Sequence, residues 1–189
     1  MTTSMISNSE VTTRGKAVWP IPEIQAWAMT REHAMPRDRG TCHAGIAEYL
    51  GQLLADTVTL RDMYALHRRK TAGPALQQRH LLYDRHFAGQ HVLVDEIAQR
   101  VQTLGGVTTA PAHDLTERTL IPRVPDGFEE HAAHLSRLLE AHEIVLVVSR
   151  AAMHEISKFG TDEPTVSNVI RTNEAHVWSL VMHMAQEQT

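Results

Sequence analysis

Histidine and aspartate recur along one segment of the chain at a spacing that suits metal binding. His80 and Asp84 are four residues apart, and His91 and Asp95 repeat this pattern eleven residues further on. On a helix, at about 100° per residue, the four side chains form a polar stripe roughly 60° wide, which Gln99 extends. Imidazole nitrogen and carboxylate oxygen together suit iron, zinc or manganese. The stripe is therefore a candidate metal site.

The two His/Asp pairs cannot bind one metal ion within a single chain, because roughly 16 Å of helix axis separates them. Two copies of the helix crossing antiparallel would bring His80 and Asp84 of one chain to Asp95 of the other. The small residues Ala88-Gly89 lie at the point of crossing and would permit close approach. The spacing thus predicts an isologous dimer with two equivalent inter-subunit sites. A solvent-exposed stripe, or a hydrogen-bonded interface without metal, is the alternative.

Apolar residues recurring every three to four positions predict long amphipathic helices that position this stripe, and no strands. The predicted helices cover about 42–70, 75–103, 126–160 and 161 onward. More than 20 residues connect the second helix to the third, with a short helical segment predicted at 114–119. A connection of that length can cross from one end of a bundle to the other. The predicted fold class is therefore all-α, a ferritin-like four-helix bundle with a short helix in the long connection.

Residues 1–40 differ from the rest and are predicted to form an extended arm, leaving 41–189 as the bundle domain. Prolines at the density seen around Trp19-Pro20-Ile21-Pro22 block regular structure. Lysine and arginine in the arm nearly balance its acidic residues, which makes it a weak candidate for binding DNA. Packing on a neighbouring subunit, with Trp19 and Trp27 as anchors, is the simpler interpretation.

Composition excludes several classes of protein. The net charge of -4 argues against a strongly basic nucleic-acid binder. A single cysteine, Cys42, excludes an internal disulfide framework and any Cys-x-x-Cys metal or redox motif. No apolar run approaches the length of a membrane span, and no secretory signal is recognisable, so we expect a cytoplasmic protein without a membrane partner.

Sequence blocks spread over residues 45–186 resemble the Dps family, the miniferritins. The blocks occur in the family's order and spacing: LLADTVTL (53–60), AGP (72–74), HLLYD (80–84), VDEIAQRVQTLGG (94–106), LSRLLEAHEI (135–144) and VSNVIRTNEAHVW (166–178). The resemblance implies a hollow dodecamer of four-helix subunits built from two-fold dimers. It also implies iron oxidation, preferably by hydrogen peroxide, at the dimer two-fold, with ferric mineral storage, DNA protection and defence against oxidative stress.

The ferroxidase ligands implied by the resemblance are only partly present. His80, Asp84 and Asp95 match a histidine and the two aspartates of the family pattern. Arg68 stands where the family has its other histidine, followed by arginine in place of a tryptophan, and Gln99 stands where the family has glutamate. The expected inter-subunit site therefore departs from the family pattern at two of its five ligand positions.

Both changes lower the expected affinity for Fe²⁺. Arginine stays protonated and cannot ligate a cation, whereas beside Asp84 or Asp95 it could form an ion pair where iron would bind. Gln99 removes a negative charge. One hypothesis is a silenced ferroxidase centre in a shell with a structural, DNA-associated or co-assembly role, including association with the nucleoid. The other is an altered site for iron, zinc or manganese that keeps ferroxidase-like activity.

The altered-site hypothesis needs substitute ligands, and His91 and His67 are the candidates. His91 lies on the predicted stripe, whereas His67 is turned about 100° from the ligand position that Arg68 occupies. A di-iron site inside the bundle is not expected, because no glutamate is followed by histidine three positions on.

The remaining candidates have simpler interpretations. Asp162 and Glu163 precede the last helix, where acidic residues suit the helix dipole. The resemblance adds a role in an acidic pore at the three-fold axis. His86 and His113 are expected at the surface. Partly buried positions with hydrogen-bond partners are expected for His142, His154, His176 and His183.

Overall fold

The computed structural model describes residues 37–70, 76–105, 117–125, 131–158 and 163–187. Most of the predicted arm lies outside these residues, as do His113 and Asp162. Residues 37–40, which were assigned to the arm, are helical and begin the first helix.

Four helices account for nearly all of the described residues. They are α1 (Arg37–Lys70), α2 (Leu76–Thr103), α3 (His131–Ser157) and α4 (Pro164–Glu187). No strand occurs in the described ranges, so the predicted all-α bundle is confirmed. Among the same residues, no helix combines the length and apolar character needed to cross a membrane.

The core lies between the four helices, with α1 packed against α2 and α3, and α4 packed against α3 and α2. Its fully buried aliphatic side chains recur at helical spacing. They include Leu50, Leu53 and Leu60 of α1, Ile97 of α2, Leu138 and Val145 of α3, and Val169 and Leu180 of α4. Burying each such side chain contributes about 1.5–3 kcal/mol, so the apolar stripes hold the helices together.

The end of α2 is joined to the start of α4. Gly105, at φ 80°, adopts the left-handed conformation that commonly follows a helix and that glycine tolerates without strain. One turn earlier, Nε of Arg100 lies 3.1 and 3.0 Å from the two carboxylate oxygens of Glu163. Glu163 directly precedes Pro164, the first residue of α4, and its carbonyl accepts a hydrogen bond from Ser167. The ion pair thus fixes the two helix ends relative to each other.

The long connection between α2 and α3 is attached to the middle of α1. Asp56 is fully buried, and its Oδ1 accepts hydrogen bonds from the Thr119 hydroxyl at 2.9 Å and the Leu120 amide at 2.7 Å. Gln52 donates to the other oxygen of Asp56 at 3.0 Å. Next in the chain, Ile121 is buried in the core. Residues 117–118 are helical, Thr119 is described and is not helical, and residues 114–116 of the predicted short helix lie outside the described residues.

Candidate metal sites at the bundle surface and in its interior

The predicted polar stripe follows the outer face of α2. His91, Asp95 and Gln99 are exposed, and His80 and Asp84 are partly exposed. Nε2 of His80 is nonetheless buried and has no hydrogen-bond partner among the described residues. These side chains lie where a second chain or a cation can reach them.

Arg68 forms an ion pair with an aspartate of the stripe. Its Nε lies 2.9 Å from Oδ1 of Asp84, and the two side chains are 51% and 47% exposed. Arg68 belongs to the basic last turn of α1, where positive charge is favourable for the helix dipole. An exposed pair of this kind contributes about 0–1 kcal/mol to stability. Its main consequence is that a guanidinium cation lies against an oxygen of the metal site predicted from the sequence.

The two proposed substitute ligands lie in different environments. His67 is fully buried, and its ring centroid lies 4.4 Å from that of His134 in the interior. The structure therefore does not bring His67 to the stripe, because the step of one residue from Arg68 turns it into the bundle. His91 is exposed and stacks loosely on Phe87, with ring centroids 6.3 Å apart.

Glu163 is turned inward. Its side chain is fully buried against Arg100, which donates to both carboxylate oxygens. This geometry gives Glu163 a role in joining α2 to α4 and argues against the pore role considered for it.

Gly89 was expected at a crossing between two copies of α2, but it faces α4 within the same chain. A Cβ atom at Gly89 would lie 2.9 Å from Cε1 and 3.0 Å from Nε2 of His176. The missing side chain therefore makes room for an imidazole inside the bundle. On the outer face, Ala88 is exposed between two large apolar side chains, Leu81 and Val92, which are 63% and 55% exposed.

Three histidines from three different helices meet in the interior. His86 of α2 and His142 of α3 are buried, and His176 of α4 is half-buried. One nitrogen from each ring lies within 4.8 Å of the others. The expectation that His86 is a surface residue is wrong. The signal that places it inside is its register, three residues after buried Tyr83 and four before buried Gln90.

Hydrogen bonds define which nitrogen of each imidazole carries a proton. The amide of Asn173 donates to the Val169 carbonyl, so its Oδ1 accepts from Nδ1 of His142 at 2.8 Å. Nε2 of His142 then carries a lone pair and accepts from the Tyr64 hydroxyl at 2.6 Å. Because that hydroxyl has one proton, Nδ1 of His86 donates to its oxygen at 3.0 Å. His86 therefore keeps the lone pair on its Nε2.

His176 is held by stacking and by a glutamine. Its ring lies 4.1 Å from that of His86, nearly parallel at 15°. Nε2 of Gln90 donates to Nδ1 of His176 at 3.2 Å and to Oδ1 of Asn173 at 3.0 Å. Oε1 of Gln90 is buried with no hydrogen-bond partner among the described atoms.

Burial keeps the interior imidazoles neutral. It lowers the pKa of His86 to about 2, of His142 to about 3 and of His176 to about 4. Repulsion from the neighbouring imidazoles and from Arg85 adds to the pKa shift of His86, and repulsion from Arg85 adds to that of His176. The pKa of Tyr64 is raised well above its ordinary value, again mainly by burial. At neutral pH the cluster is uncharged, and neutral imidazole is the form that binds metals.

Comparison with known proteins identifies the family. A model of the ferritin-like domain family, Ferritin, matches residues 47–188. The structure of DpsC from Streptomyces coelicolor is 39% identical, covers 76% of this chain and 86% of its own, and superimposes with a TM-score of 0.73. The chain belongs to the Dps family. This membership confirms the resemblance and the ferritin-like topology predicted from the sequence.

Other relatives of this Dps-family chain show different degrees of similarity. An uncharacterized protein of Kitasatospora aureofaciens is 42% identical over 111 residues, which are 59% of this chain and 74% of that protein. The Dps of Thermosynechococcus elongatus is 20% identical, covers 78% of this chain and 94% of its own, and has a TM-score of 0.70. At that identity it shows the fold alone. The Dps-type, ferritin-like fold supports an iron-storage protein of the miniferritin type.

Proposed function

We propose that this Dps-family protein forms an iron-storing cage in which the inter-subunit oxidation site is blocked by Arg68. The observation that carries the proposal is the 2.9 Å ion pair between Arg68 and Asp84. A protonated guanidinium at a ligand position does not fit a cation centre, because it repels the ion and occupies an oxygen of the neighbouring carboxylate. The cage would store iron and limit its reaction with peroxide mainly by enclosing it. Rapid oxidation of Fe²⁺ at the site on the two-fold axis would contribute less.

The charge of the site supports this proposal. At the five ligand positions the family pattern has three carboxylates, whereas this chain has two carboxylates, one guanidinium and one neutral amide. Fewer negative charges and one fixed positive charge weaken the attraction for Fe²⁺. His80, Asp95 and the exposed His91 remain available on the outer face, so weak binding of iron, zinc or manganese is compatible with the geometry.

The outer face of α2 also supports assembly through a two-fold axis. Leu81 and Val92 are large apolar side chains left exposed beside the polar stripe, and exposed apolar patches commonly mark interfaces. A second copy of α2 would cover both and could supply a hydrogen-bond partner for Nε2 of His80. We propose a dodecamer assembled from such dimers, in the cytoplasm. Association with DNA or with a second family member rests on the family resemblance.

The test is aerobic Fe²⁺ oxidation by the purified oligomer, with and without hydrogen peroxide. We compare the unaltered protein with an Arg68→His/Gln99→Glu variant that restores the family ligands. An Arg69→His/Gln102→Glu variant makes the same chemical changes at neighbouring positions and serves as the control. We expect the unaltered protein and the control to remain near the protein-free rate. The restored variant should exceed them by about 10- to 100-fold, as tuning of metal sites commonly does.

Equal rates of Fe²⁺ oxidation for the unaltered protein and the restored variant would contradict the proposal that Arg68 blocks the site. His91→Gln would then show whether that exposed histidine has taken over as a ligand. The metal content of the protein as purified distinguishes an iron site from a zinc or manganese site.

A further inference from the structure

The interior histidines form a second candidate site, unrelated to the stripe on the outer face. His86, His142 and His176 come from α2, α3 and α4, so their convergence depends on the folded bundle and not on local sequence. Most of the residues that fill the surrounding core are leucine, isoleucine and valine. Three imidazoles and a tyrosine at such positions are costly to bury unless their polar atoms have partners.

We infer that His86, His142 and His176 bind one divalent transition-metal ion of the zinc type inside each four-helix bundle. Three imidazole ligands with a fourth position left for another donor are the composition of many zinc sites. At Zn–N distances of about 2.0–2.1 Å, tetrahedral geometry places the nitrogens roughly 3.3 Å apart. The present separations of up to 4.8 Å require side-chain shifts of about 1 Å, and the stacked rings of His86 and His176, 4.1 Å apart and nearly parallel at 15°, must also turn toward a common ion to reach that geometry.

The hydrogen bonds around the cluster match those that orient metal-binding histidines. Asn173 accepts from Nδ1 of His142, which fixes the tautomer that leaves Nε2 facing the cluster. The Tyr64 oxygen holds Nδ1 of His86 in the same way, leaving Nε2 of that ring with its lone pair. Tyr64 now occupies the lone pair of His142, since its hydroxyl donates to Nε2 at 2.6 Å, so an ion binding at this nitrogen would displace that hydrogen bond and leave water as the fourth donor.

Gln90 allows His176 to adopt either tautomer. Its Nε2 now donates to Nδ1 of His176, while its buried Oε1 has no partner among the described residues. Turning the amide over would present Oε1 as the acceptor for a protonated Nδ1 and free the other nitrogen of His176 for a metal ion, but it would break the hydrogen bond from Gln90 to Oδ1 of Asn173. His176 is also only half-buried, which provides an entry route for the ion.

The experiment uses the full-length protein freed of metal with a chelator. Co²⁺ is the spectroscopic probe, since tetrahedral Co²⁺ absorbs strongly in the visible range, and calorimetric titration with Zn²⁺ gives the stoichiometry. We expect one tightly bound ion per chain and a higher thermal unfolding midpoint with metal than without. His142→Gln and His176→Gln should each lower the affinity by at least about tenfold.

Two control variants distinguish the interior site from other histidines. His154→Gln removes an exposed histidine of the same helix as His142, and His80→Gln/Asp95→Asn removes the stripe on the outer face. Both should keep one tightly bound Co²⁺ or Zn²⁺ ion per chain, whereas weak binding at the stripe is lost only in the second variant. This result is independent of whether iron is oxidised at the stripe, so the interior site and the proposed function can fail separately.

Three outcomes would overturn the inference. They are the absence of a tight site in the unaltered protein, a tight site that persists in both interior variants, and a tight site that disappears with the stripe variant. His176→Gln keeps the test open if His142→Gln does not fold, because His176 is half-buried and its replacement disturbs the core less.

Discussion

Because Gly89 packs against His176, replacing Gly89 by alanine has two opposing effects on the free energy of unfolding. Replacing glycine by alanine inside a helix normally stabilises a protein by up to about 1 kcal/mol. At Gly89, however, the new Cβ would lie 2.9 Å from Cε1 and 3.0 Å from Nε2 of His176. The imidazole cannot retreat freely, because it stacks on His86 at 4.1 Å and is hydrogen-bonded to Gln90 at 3.2 Å.

Overpacking of this kind costs about 1–3 kcal/mol, which exceeds the gain in helix propensity. We therefore expect Gly89→Ala to lower the free energy of unfolding by about 1 kcal/mol. Two glycines of α1 provide matched controls. A Cβ at Gly51 would meet only the Arg118 guanidinium, at 3.7 Å, and a Cβ at Gly45 would meet nothing within 4 Å. Their alanine variants should gain up to about 1 kcal/mol.

The assay is urea unfolding of the three variants and the unaltered protein, free of metal and at one protein concentration. The quantity compared is the denaturation midpoint at unchanged slope, since a changed slope would indicate a different unfolding transition. Relative to Gly51→Ala, Gly89→Ala should be about 2 kcal/mol less stable. If Gly89→Ala stabilises the protein as much as the controls do, the imidazole moves aside without cost and the interior is not tightly packed there.

Further predictions concern the ionisable groups. The three interior histidines have lowered pKa values when folded, so below about pH 6.5 the unfolded chain binds protons that the folded chain does not. The free energy of unfolding of the metal-free protein should be highest above about pH 7. As the pH drops toward 4, it should fall by up to about 4 kcal/mol per pH unit for the three histidines together. Urea midpoints that stay constant from pH 7.5 to 5 would contradict this. Arg100→Ala leaves the buried carboxylate of Glu163 without its cation and should cost about 3–5 kcal/mol, whereas Arg150→Ala breaks an exposed pair and should cost under about 1 kcal/mol. If thermal unfolding shows similar losses of stability for Arg100→Ala and Arg150→Ala, burial does not strengthen the pair between Arg100 and Glu163. Arg68→Ala should change stability by less than about 1 kcal/mol yet increase Fe²⁺ binding, and calorimetry showing unchanged binding would count against a blocking role for that arginine.

The sequence was sufficient for the features that depend on helical periodicity. The four helices follow from the spacing of apolar residues, and the outer stripe follows because 100° per residue places His80, Asp84 and His91 on one side. The ion pair of Arg68 with Asp84 or Asp95 was expected from the family resemblance, which puts the arginine at a ligand position beside these carboxylates. The start of α1 at Arg37 was missed, since the segment before it has no apolar periodicity to mark a boundary.

The interior cluster could not be recognised in the same way. His86 stands between a charged and an aromatic residue, and a histidine beside a charged residue is ordinarily interpreted as a surface residue unless its register with Tyr83 is considered. Only the packing of α2 against α4 shows that it faces His176 and that Gly89 makes the space.

The buried carboxylate of Asp56 has a consequence for how the chain finds its topology. Its hydrogen bond to Thr119 joins positions 63 residues apart, so it forms only after α1 and the connection have met. A connection that leaves α2 can either return at the same end of the bundle or cross to the other end. The Asp56 carboxylate, in the middle of α1, stabilises the connection that crosses. A single acidic side chain thereby favours the crossing connection over one that returns at the same end, and in the proposed dodecamer every subunit would need the same crossing.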